Sequence, residues 1–262
     1  MTIGPPNVDQ VDDYTLYQTS TIATLLAGVY DGDVTVHDLL QHGDFGLGTF
    51  NHLDGEMIVI DGICFQLRSD GSATVAAGNQ LTPFAAVTHF VSHTQFYVTQ
   101  ETSLRALTEA IDSIADGVNV PLAVRLDGEF RGLRTRTVRE QNKPYRPLVE
   151  AVGSQAINTL EFSNGTIAGF RTPGFEEAIS VAGYHLHYID SSRTSGGHLL
   201  DATMTSGRVA IAPLTELHLR LNNSAEARNA TINLETLSAD QHKAEGSPAI
   251  LAERSSPPAA LG

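Results

Sequence analysis

Apolar residues recur along this chain with two spacings, one typical of helices and the other typical of strands. Between residues 99 and 115 the apolar positions fall three or four residues apart, which predicts an amphipathic helix packed on the core. A similar stripe between Leu16 and Tyr30 predicts a second helix near the start of the chain. The apolar positions of the two stripes are Leu104, Leu107, Ile111 and Ile114, and Ile22, Leu25, Leu26 and Val29.

From about residue 54 the pattern changes to short apolar runs separated by Asp-Gly pairs. This dipeptide is typical of tight hairpin turns, because both central residues of such a turn need a positive φ. The runs Met57–Ile60, Ile63–Leu67 and Ala73–Ala76 therefore predict a meander of three strands. Two later pairs, Asp127-Gly128 and Asn164-Gly165, predict further turns between strands.

Many strands, few helices and short turns predict an α+β protein with mixed or antiparallel β-sheets arranged in two packed halves. The segment Lys143–Pro147 holds two prolines and is a reasonable boundary between the halves. We predict a polar leader over residues 1–15 and an N-terminal α/β half over residues 16–147. A β-rich C-terminal half over residues 148–246 and a mobile tail over residues 247–262 complete the predicted organisation.

The chain has 262 residues, enough to bury a sizeable core, and its 41% hydrophobic content is typical of a globular protein. It carries 16 basic and 30 acidic residues, which gives a net charge of -14. Nucleic acids and anionic membranes are therefore not expected as partners, because binding to phosphate groups needs a basic surface. A small-molecule substrate remains compatible with this charge, since a local cation can outweigh the net charge of the chain.

Cys64 is the single cysteine, so the chain can form neither an internal disulfide nor a zinc cluster with thiolate ligands. It lies in an apolar run, and we expect it to pack in the core. The first residues show neither the basic nor the apolar region of a secretory signal, and no apolar run approaches the length of a membrane span. We therefore expect a cytoplasmic protein.

Three histidines stand close together in the segments Gly183–Asp190 and Gly196–Asp201. His185 and His187 are two positions apart in a strand-like run, so their side chains project from the same face. The intervening residues favour a turn, and a returning strand would bring His198 opposite the first pair. Three converging imidazoles can hold a divalent transition metal with positions left for water or substrate. The same spacing also fits histidines that merely line a polar face of a sheet.

Two further groups can carry chemistry. Glu56 follows a predicted turn at the start of an apolar strand, where its carboxylate either faces solvent or enters a site. Arg134 and Arg136 share one face of their predicted strand, with Arg139 nearby. Such arginines can clamp a carboxylate through paired hydrogen bonds, or they can pair with acidic residues on the surface.

The chain resembles the bacterial acetolactate decarboxylases along nearly its whole length, from about Leu16 to Glu245. Several stretches, in conserved order and spacing, together carry this resemblance. They are Leu16-Tyr-Gln-Thr-Ser20, Gly43-Asp-Phe-Gly-Leu-Gly-Thr-Phe50, Leu53-Asp-Gly-Glu-Met57, Lys143-Pro-Tyr145, Gly183-Tyr-His-Leu-His187 and Gly196-Gly-His198.

The resemblance implies a role for each candidate residue. One zinc ion would be bound by His185, His187 and His198. Two catalytic glutamates would fall on Glu56 and Glu245, with Glu253 as the alternative for the second. The active-site arginine would fall on Arg136, which would also bind substrate, and Thr49 would lie near the substrate.

Membership of this family would imply the zinc-dependent decarboxylation of 2-acetolactate to (R)-acetoin and carbon dioxide, within acetoin and butanediol formation, by a homodimer. Another metalloenzyme with the same histidines, such as a cupin-like oxygenase or a metal-assisted hydrolase, is the alternative. Cupin-type sites usually add a glutamate soon after the paired histidines, whereas this chain continues with Tyr188, Ile189 and Asp190. A non-catalytic metal-binding module is a third hypothesis, and it would leave Glu56 and Arg136 without a function.

Overall fold

A computed structural model describes residues 14–115 and 117–245 of the chain. The strands are β1 (Thr15–Thr19), β2 (Val34–Thr35), β3 (Phe45–Thr49), β4 (Glu56–Ile60), β5 (Ile63–Leu67), β6 (Ala73–Val75), β7 (Leu81–Thr82), β8 (Ala85–Thr88), β9 (Thr94–Val98), β10 (Thr102–Ser103), β11 (Leu122–Thr137), β12 (Ala156–Thr172), β13 (Gly183–Asp190), β14 (Gly196–Pro213) and β15 (Glu216–Arg220). The helices are α1 (Ile22–Leu26), α2 (Val36–Leu39), α3 (Leu104–Ile114), α4 (Leu148–Ala151), α5 (Ala225–Asn229) and α6 (Leu237–Glu245). Short 3₁₀ turns cover Asn51–Leu53, Val152–Ser154 and Gly174–Glu176.

The first sheet has seven strands in the order β15-β1-β8-β3-β4-β5-β6. Its strands pair antiparallel except for β1 and β15, which run parallel at one edge. The predicted meander is confirmed, because β4, β5 and β6 follow one another in this sheet. Strand β4 carries Glu56 at its first position and so delivers this carboxylate to one end of the sheet.

The second sheet has six strands, of which β11, β12, β13 and β14 are the longest. These four strands pair antiparallel: β11 pairs with β12 and β14, and β13 also pairs with β12 and β14. The four strands therefore close into a ring, and the short strands β9 and β10 add to β14 outside it. The predicted histidine hairpin is confirmed as the pair β13–β14.

The predicted turns at Asp127-Gly128 and Asn164-Gly165 are wrong. Both dipeptides lie inside continuous strands, β11 and β12, and Gly128 pairs with Gly165 on one side and Gly207 on the other. A Cβ atom on Gly128 would overlap the backbone oxygen of Ser206. These glycines therefore allow neighbouring backbones to approach closely inside the sheet, which is the other common reason for glycine in a strand.

The predicted helix between Leu16 and Tyr30 is only partly present. Residues 15–19 form the strand β1, next to the edge of the first sheet, and the helix α1 begins after Thr21, whose side chain accepts a hydrogen bond from the Thr24 backbone. Ser20, with φ at 62°, separates the strand from the helix. The predicted helix between residues 99 and 115 is confirmed as α3, which begins after Ser103.

The two sheets pack against each other through a shared apolar core. Leu47 and Ile58 of the first sheet meet Ala168, Phe170 and Ile189 of the second in this core. The fold class is therefore α+β with mixed or antiparallel β-sheets and few helices, as predicted. No helix in residues 14–115 and 117–245 is long and apolar enough to span a membrane.

A third, two-stranded sheet pairs β2 with β7. Both larger sheets take strands from both sides of residue 147, since β11 joins the second sheet and β15 joins the first. The division of the chain into halves at this residue stays a prediction. The predicted tail, residues 247–262, and all but the last two residues of the predicted leader lie outside the described residues.

Candidate metal centre and active site

The β13–β14 hairpin brings its three histidines together in the interior. His187 and His198 are direct cross-strand partners, and His185 lies two positions earlier on the same face of β13. All three are buried, with exposed fractions of 7% for His185, 0% for His187 and 1% for His198. Each of the three offers one nitrogen atom as a ligand, and these three atoms lie within 4.8 Å of one another. The hairpin therefore concentrates three imidazoles at one point instead of spreading them over a solvated face.

A hydrogen bond across the sheets fixes the tautomer of His187. Its Nδ1 lies 2.7 Å from the backbone oxygen of Met57 in β4. A carbonyl oxygen can only accept, so Nδ1 carries the proton and Nε2 keeps its lone pair. That Nε2 is buried without a hydrogen-bond partner, and so is Nδ1 of His198. Unpartnered buried nitrogen atoms are costly, and a bound cation would satisfy them.

Burial keeps the three imidazoles neutral. It lowers the pKa of His187 to about 4, and the nearby Arg136 charge acts in the same direction. Burial likewise holds the pKa of His185 and of His198 well below the ordinary value, with further contributions from the neighbouring histidines and Arg136. The neutral form is the form that binds metals, so these residues fit a cation at neutral pH.

Two carboxylates from distant segments border the histidines. Glu56 Oε2 lies 3.7 Å from His187 Nε2. Glu245, the last residue of α6, places its Oε2 3.7 Å from both His185 Nε2 and His198 Nδ1. Glu56 and Glu245 come from opposite parts of the chain, and their side chains are both 13% exposed.

The site raises the pKa of both carboxyl groups. Burial and then the nearby charge of Glu245 raise the pKa of Glu56 to about 8, although Arg136 opposes this shift. Burial raises the pKa of Glu245, again against the effect of Arg136. A divalent cation beside the histidines would favour the ionised form of both groups.

Arg136 enters the same centre from β11, where it pairs with His198 across the sheet. Its side chain is 5% exposed. Its Nη1 donates to Gln155 Oε1 at 3.1 Å, and its Nη2 lies 3.1 Å from His198 Nε2. The Glu245 carboxylate is 3.5 Å from Nη2. Arg136 is thus a buried cation held between an amide, an imidazole and a carboxylate.

Thr49 lies at the end of β3 and lines the same small cavity, of about 20 Å³, as Glu56, Arg136, His185 and Glu245. Its hydroxyl donates to the Gly55 oxygen at 2.7 Å, which leaves the oxygen lone pairs available to accept. The remaining wall is largely apolar. It consists of Leu25, Gly48, Leu53, Phe84, Val138, Leu148 and Ala244.

The structure thus brings all seven candidate residues to one place, and their individual roles stay predictions. Arg134 and Arg139 are exposed and do not line the cavity, whereas Cys64 is buried in the core as expected. Glu253, the alternative to Glu245, lies outside the described residues. Sequence reasoning missed Gln155 and the apolar wall, because nothing in their local pattern distinguishes them from ordinary loop and core residues.

The chain is similar over most of its length to proteins of one known family. A model of the family described as alpha-acetolactate decarboxylase matches residues 16–234, a span that contains six of the seven candidates and ends before Glu245. The alpha-acetolactate decarboxylase of Bacillus subtilis (strain 168) is 42% identical over 233 residues, which cover 89% of this chain and 91% of the relative. The protein of the same name from Methanosarcina mazei is 40% identical over 240 residues, covering 92% of this chain and 83% of the relative.

Solved structures give the same result. The crystal structure of alpha-acetolactate decarboxylase from Bacillus subtilis strain 168 matches with a TM-score of 0.87 and 41% identity, covering 89% of this chain and 100% of the other. A Staphylococcus aureus protein of unknown function, described as similar to alpha-acetolactate decarboxylase, matches with a TM-score of 0.85 and 28% identity over 88% of this chain and 100% of the other. The chain therefore belongs to the alpha-acetolactate decarboxylase family and is an enzyme of the carboxy-lyase class.

Proposed function

We propose that this protein decarboxylates 2-acetolactate to (R)-acetoin and carbon dioxide with the help of a zinc ion, as a step of acetoin and butanediol formation. The observation that carries the proposal is the buried cluster of His185, His187 and His198, bordered by two carboxylates and Arg136 in a chain of this family. No cupin-like or hydrolytic activity is needed to explain these groups.

The donor set fits zinc. Three neutral imidazoles with a carboxylate nearby suit a borderline-soft divalent ion that prefers nitrogen and tolerates oxygen ligands. His185, His187 and His198 would hold the ion, with Glu245 and Glu56 at its border. A zinc ion bound there supplies Lewis acidity, which stabilises negative charge developing on the substrate's ketone oxygen.

Arg136 would bind the substrate carboxylate. A neutral imidazole has one free lone pair, so His198 can either accept from Arg136 or bind a cation. Arg136 loses this acceptor when His198 is a ligand, and its guanidinium is then free to donate two parallel hydrogen bonds to a carboxylate. The arginine would thus orient the bond that breaks, in a cavity whose wall is largely apolar beyond the candidate residues.

The reaction then needs one proton. The bond between the carboxylate carbon and its neighbour breaks, carbon dioxide leaves, and the electron pair passes into an enediolate whose charge rests on the former ketone oxygen. Protonation of the carbon that carried the carboxylate gives acetoin. We assign this proton transfer to Glu56 together with Glu245, the two carboxyl groups at the site: one of them takes up a proton from water and passes it to the carbon. Delivery from one fixed side would give a single enantiomer, and Thr49 would accept a hydrogen bond from the substrate hydroxyl.

The resemblance to the family also leads us to propose a homodimer located in the cytoplasm. The mass of the protein in solution, measured by light scattering after size-exclusion chromatography, tests the first statement. A monomer at micromolar concentration would contradict it.

The function is tested by incubating the purified protein with racemic 2-acetolactate and measuring acetoin by chiral chromatography, with and without a strong chelator. We expect (R)-acetoin from the zinc-loaded protein, loss of activity with the chelator, and recovery when zinc is added. His187→Ala should abolish the activity and reduce the bound zinc, whereas His93→Ala, at an exposed histidine, should change neither. A folded, zinc-loaded protein that forms no acetoin would overturn the proposal.

A further inference from the structure

We propose that Gln241 is a positioning residue that holds Glu245 at the metal centre. The proposal rests on the function proposed above, in that it assigns Glu245 to the zinc site of a decarboxylase. Gln241 is 2% exposed although it lies on α6, a short helix at the protein surface, and it is one of three buried residues on that helix. It does not line the cavity, so any effect on the site must pass through another residue.

Helix α6 has few apolar attachments of its own. Leu237 and Ala244 are its buried apolar residues, and they join a cluster formed largely by α1, α4 and the segments beside them. Its other residues, apart from Gln241 and the partly buried Asp240 and Glu245, are exposed. A nine-residue helix is marginal in water by itself, so its place depends on what it contacts.

The side-chain amide of Gln241 makes three hydrogen bonds, all with backbone groups of residues 177–182. Its Nε2 donates to the oxygens of Glu177 and Ser180, both at 2.9 Å, and its Oε1 accepts from the Ala182 nitrogen at 3.0 Å. Both N–H groups of the amide are therefore used. Ala182 lies three positions before His185, so the amide ties α6 to the segment that leads into the metal-binding strand.

Gln241 and Glu245 are four positions apart and lie on the same face of α6, one turn from each other. Fixing the amide of Gln241 therefore sets both the rotation and the height of the helix turn that carries the Glu245 carboxylate. That carboxylate lies 3.7 Å from the nitrogen atoms of His185 and His198. A small rotation of the helix would remove it from the centre.

A second glutamine also forms hydrogen bonds with residues 177–182 and offers a matched control. Gln18, fully buried on β1, donates to the oxygens of Ser20 and Ile179 and accepts from the Ser180 hydroxyl. It makes as many hydrogen bonds as Gln241 but none with α6. Loss of either amide removes three buried hydrogen bonds, whereas only the loss of Gln241 releases the helix.

The experiment compares Gln241→Leu, Gln18→Leu and Lys243→Ala in the full-length protein, the last at an exposed position of the same helix. Zinc affinity is measured by competition with a chromophoric chelator, thermal stability by circular dichroism, and kcat and KM with 2-acetolactate. We expect Gln241→Leu to weaken zinc binding by roughly ten- to a hundredfold, as is typical when a group supporting a ligand is lost. Gln18→Leu should lower the melting temperature as much as Gln241→Leu does, while its zinc affinity stays near that of the parent. Lys243→Ala should change neither the melting temperature nor the zinc affinity.

A double variant decides whether the effect passes through Glu245. Gln241→Leu added to Glu245→Gln should cause no further loss of zinc affinity, because the carboxylate it positions is already gone. Three results would each overturn the proposal. Gln241→Leu could weaken zinc binding as much in the Glu245→Gln variant as in the parent, it could leave the zinc affinity of the parent unchanged, or Gln18→Leu could weaken zinc binding equally. A parent protein that binds zinc but forms no acetoin would instead contradict the proposed function, and the zinc titrations would still test the role of Gln241.

Discussion

Replacement of Arg136 by alanine tests the assignment of the substrate carboxylate most directly. Arg136 is the buried cation of the centre, and its Nη2 lies 3.5 Å from the Glu245 carboxylate. Two hydrogen bonds to a charged carboxylate contribute about 1.5–3 kcal/mol each, so we expect a loss of at least about 3 kcal/mol of transition-state stabilisation. This corresponds to roughly a hundredfold decrease in kcat/KM.

Arg136 also lowers the pKa of both Glu56 and Glu245, so its removal should raise both values further and shift the pH profile of kcat/KM to higher pH. Arg136→Lys keeps the charge but not the paired geometry and should recover only part of the activity. Arg134→Ala, two positions away on the same strand and exposed, is the control. Initial rates and the enantiomer ratio of acetoin are measured on variants whose zinc content is verified. Unchanged rate and stereochemistry in Arg136→Ala would refute the reasoning.

Three further predictions concern stability. Gly128→Ala should destabilise the protein by about 3 kcal/mol in denaturant unfolding, since its Cβ would overlap the Ser206 oxygen. Gly174→Ala, which has open space around it, should leave the unfolding free energy nearly unchanged. Equal effects of the two substitutions would contradict the close approach of the strands. Burial alone would raise the pKa of Asp127, but hydrogen bonds from two arginines hold this pKa below its ordinary value. The ionised carboxylate therefore stabilises the fold above the pKa of the unfolded carboxyl, and this stabilisation is lost as pH falls through the folded pKa. Asp127→Asn should therefore cost about 1–2 kcal/mol at pH 7, with the difference vanishing in acid, and a difference independent of pH would argue against the ion pairs. Free zinc at a hundred times its dissociation constant should add about 2.7 kcal/mol to the unfolding free energy, and no change in melting temperature would exclude selective binding to the native state.

Local patterns predicted the elements whose contacts are local. Helix α3, the β4–β6 meander and the histidine hairpin follow from spacing and turn residues, because each is decided within some twenty residues of sequence. The Asp-Gly and Asn-Gly pairs at residues 127–128 and 164–165 gave wrong predictions, because glycine occurs both in turns and where two strands come into close contact. Which of the two applies depends on distant backbone atoms, such as the Ser206 oxygen.

In the candidate site, too, the local sequence pattern predicted some residues and not others. The convergence of His185, His187 and His198 was predictable from alternation along one hairpin. The local pattern left open whether Glu56 and Arg136 enter a site or face solvent, and it did not mark Glu245 at all. Only the resemblance to a known family assigned all three to the site. Supporting groups could be predicted by neither route, because Gln155 and Gln241 act through single contacts between segments that meet only in the folded protein.

The hydrogen bond from His187 to the carbonyl of Met57 joins residues 130 positions apart in the chain. Contacts between such distant segments tend to form late in folding, because the long intervening loop must close first. The histidine hairpin can therefore form early by itself, whereas the tautomer of His187 is fixed only after the second sheet has docked on the first. The proposed zinc site is therefore complete only after the two sheets have met, because in a chain whose sheets are still apart either nitrogen of His187 can carry the proton.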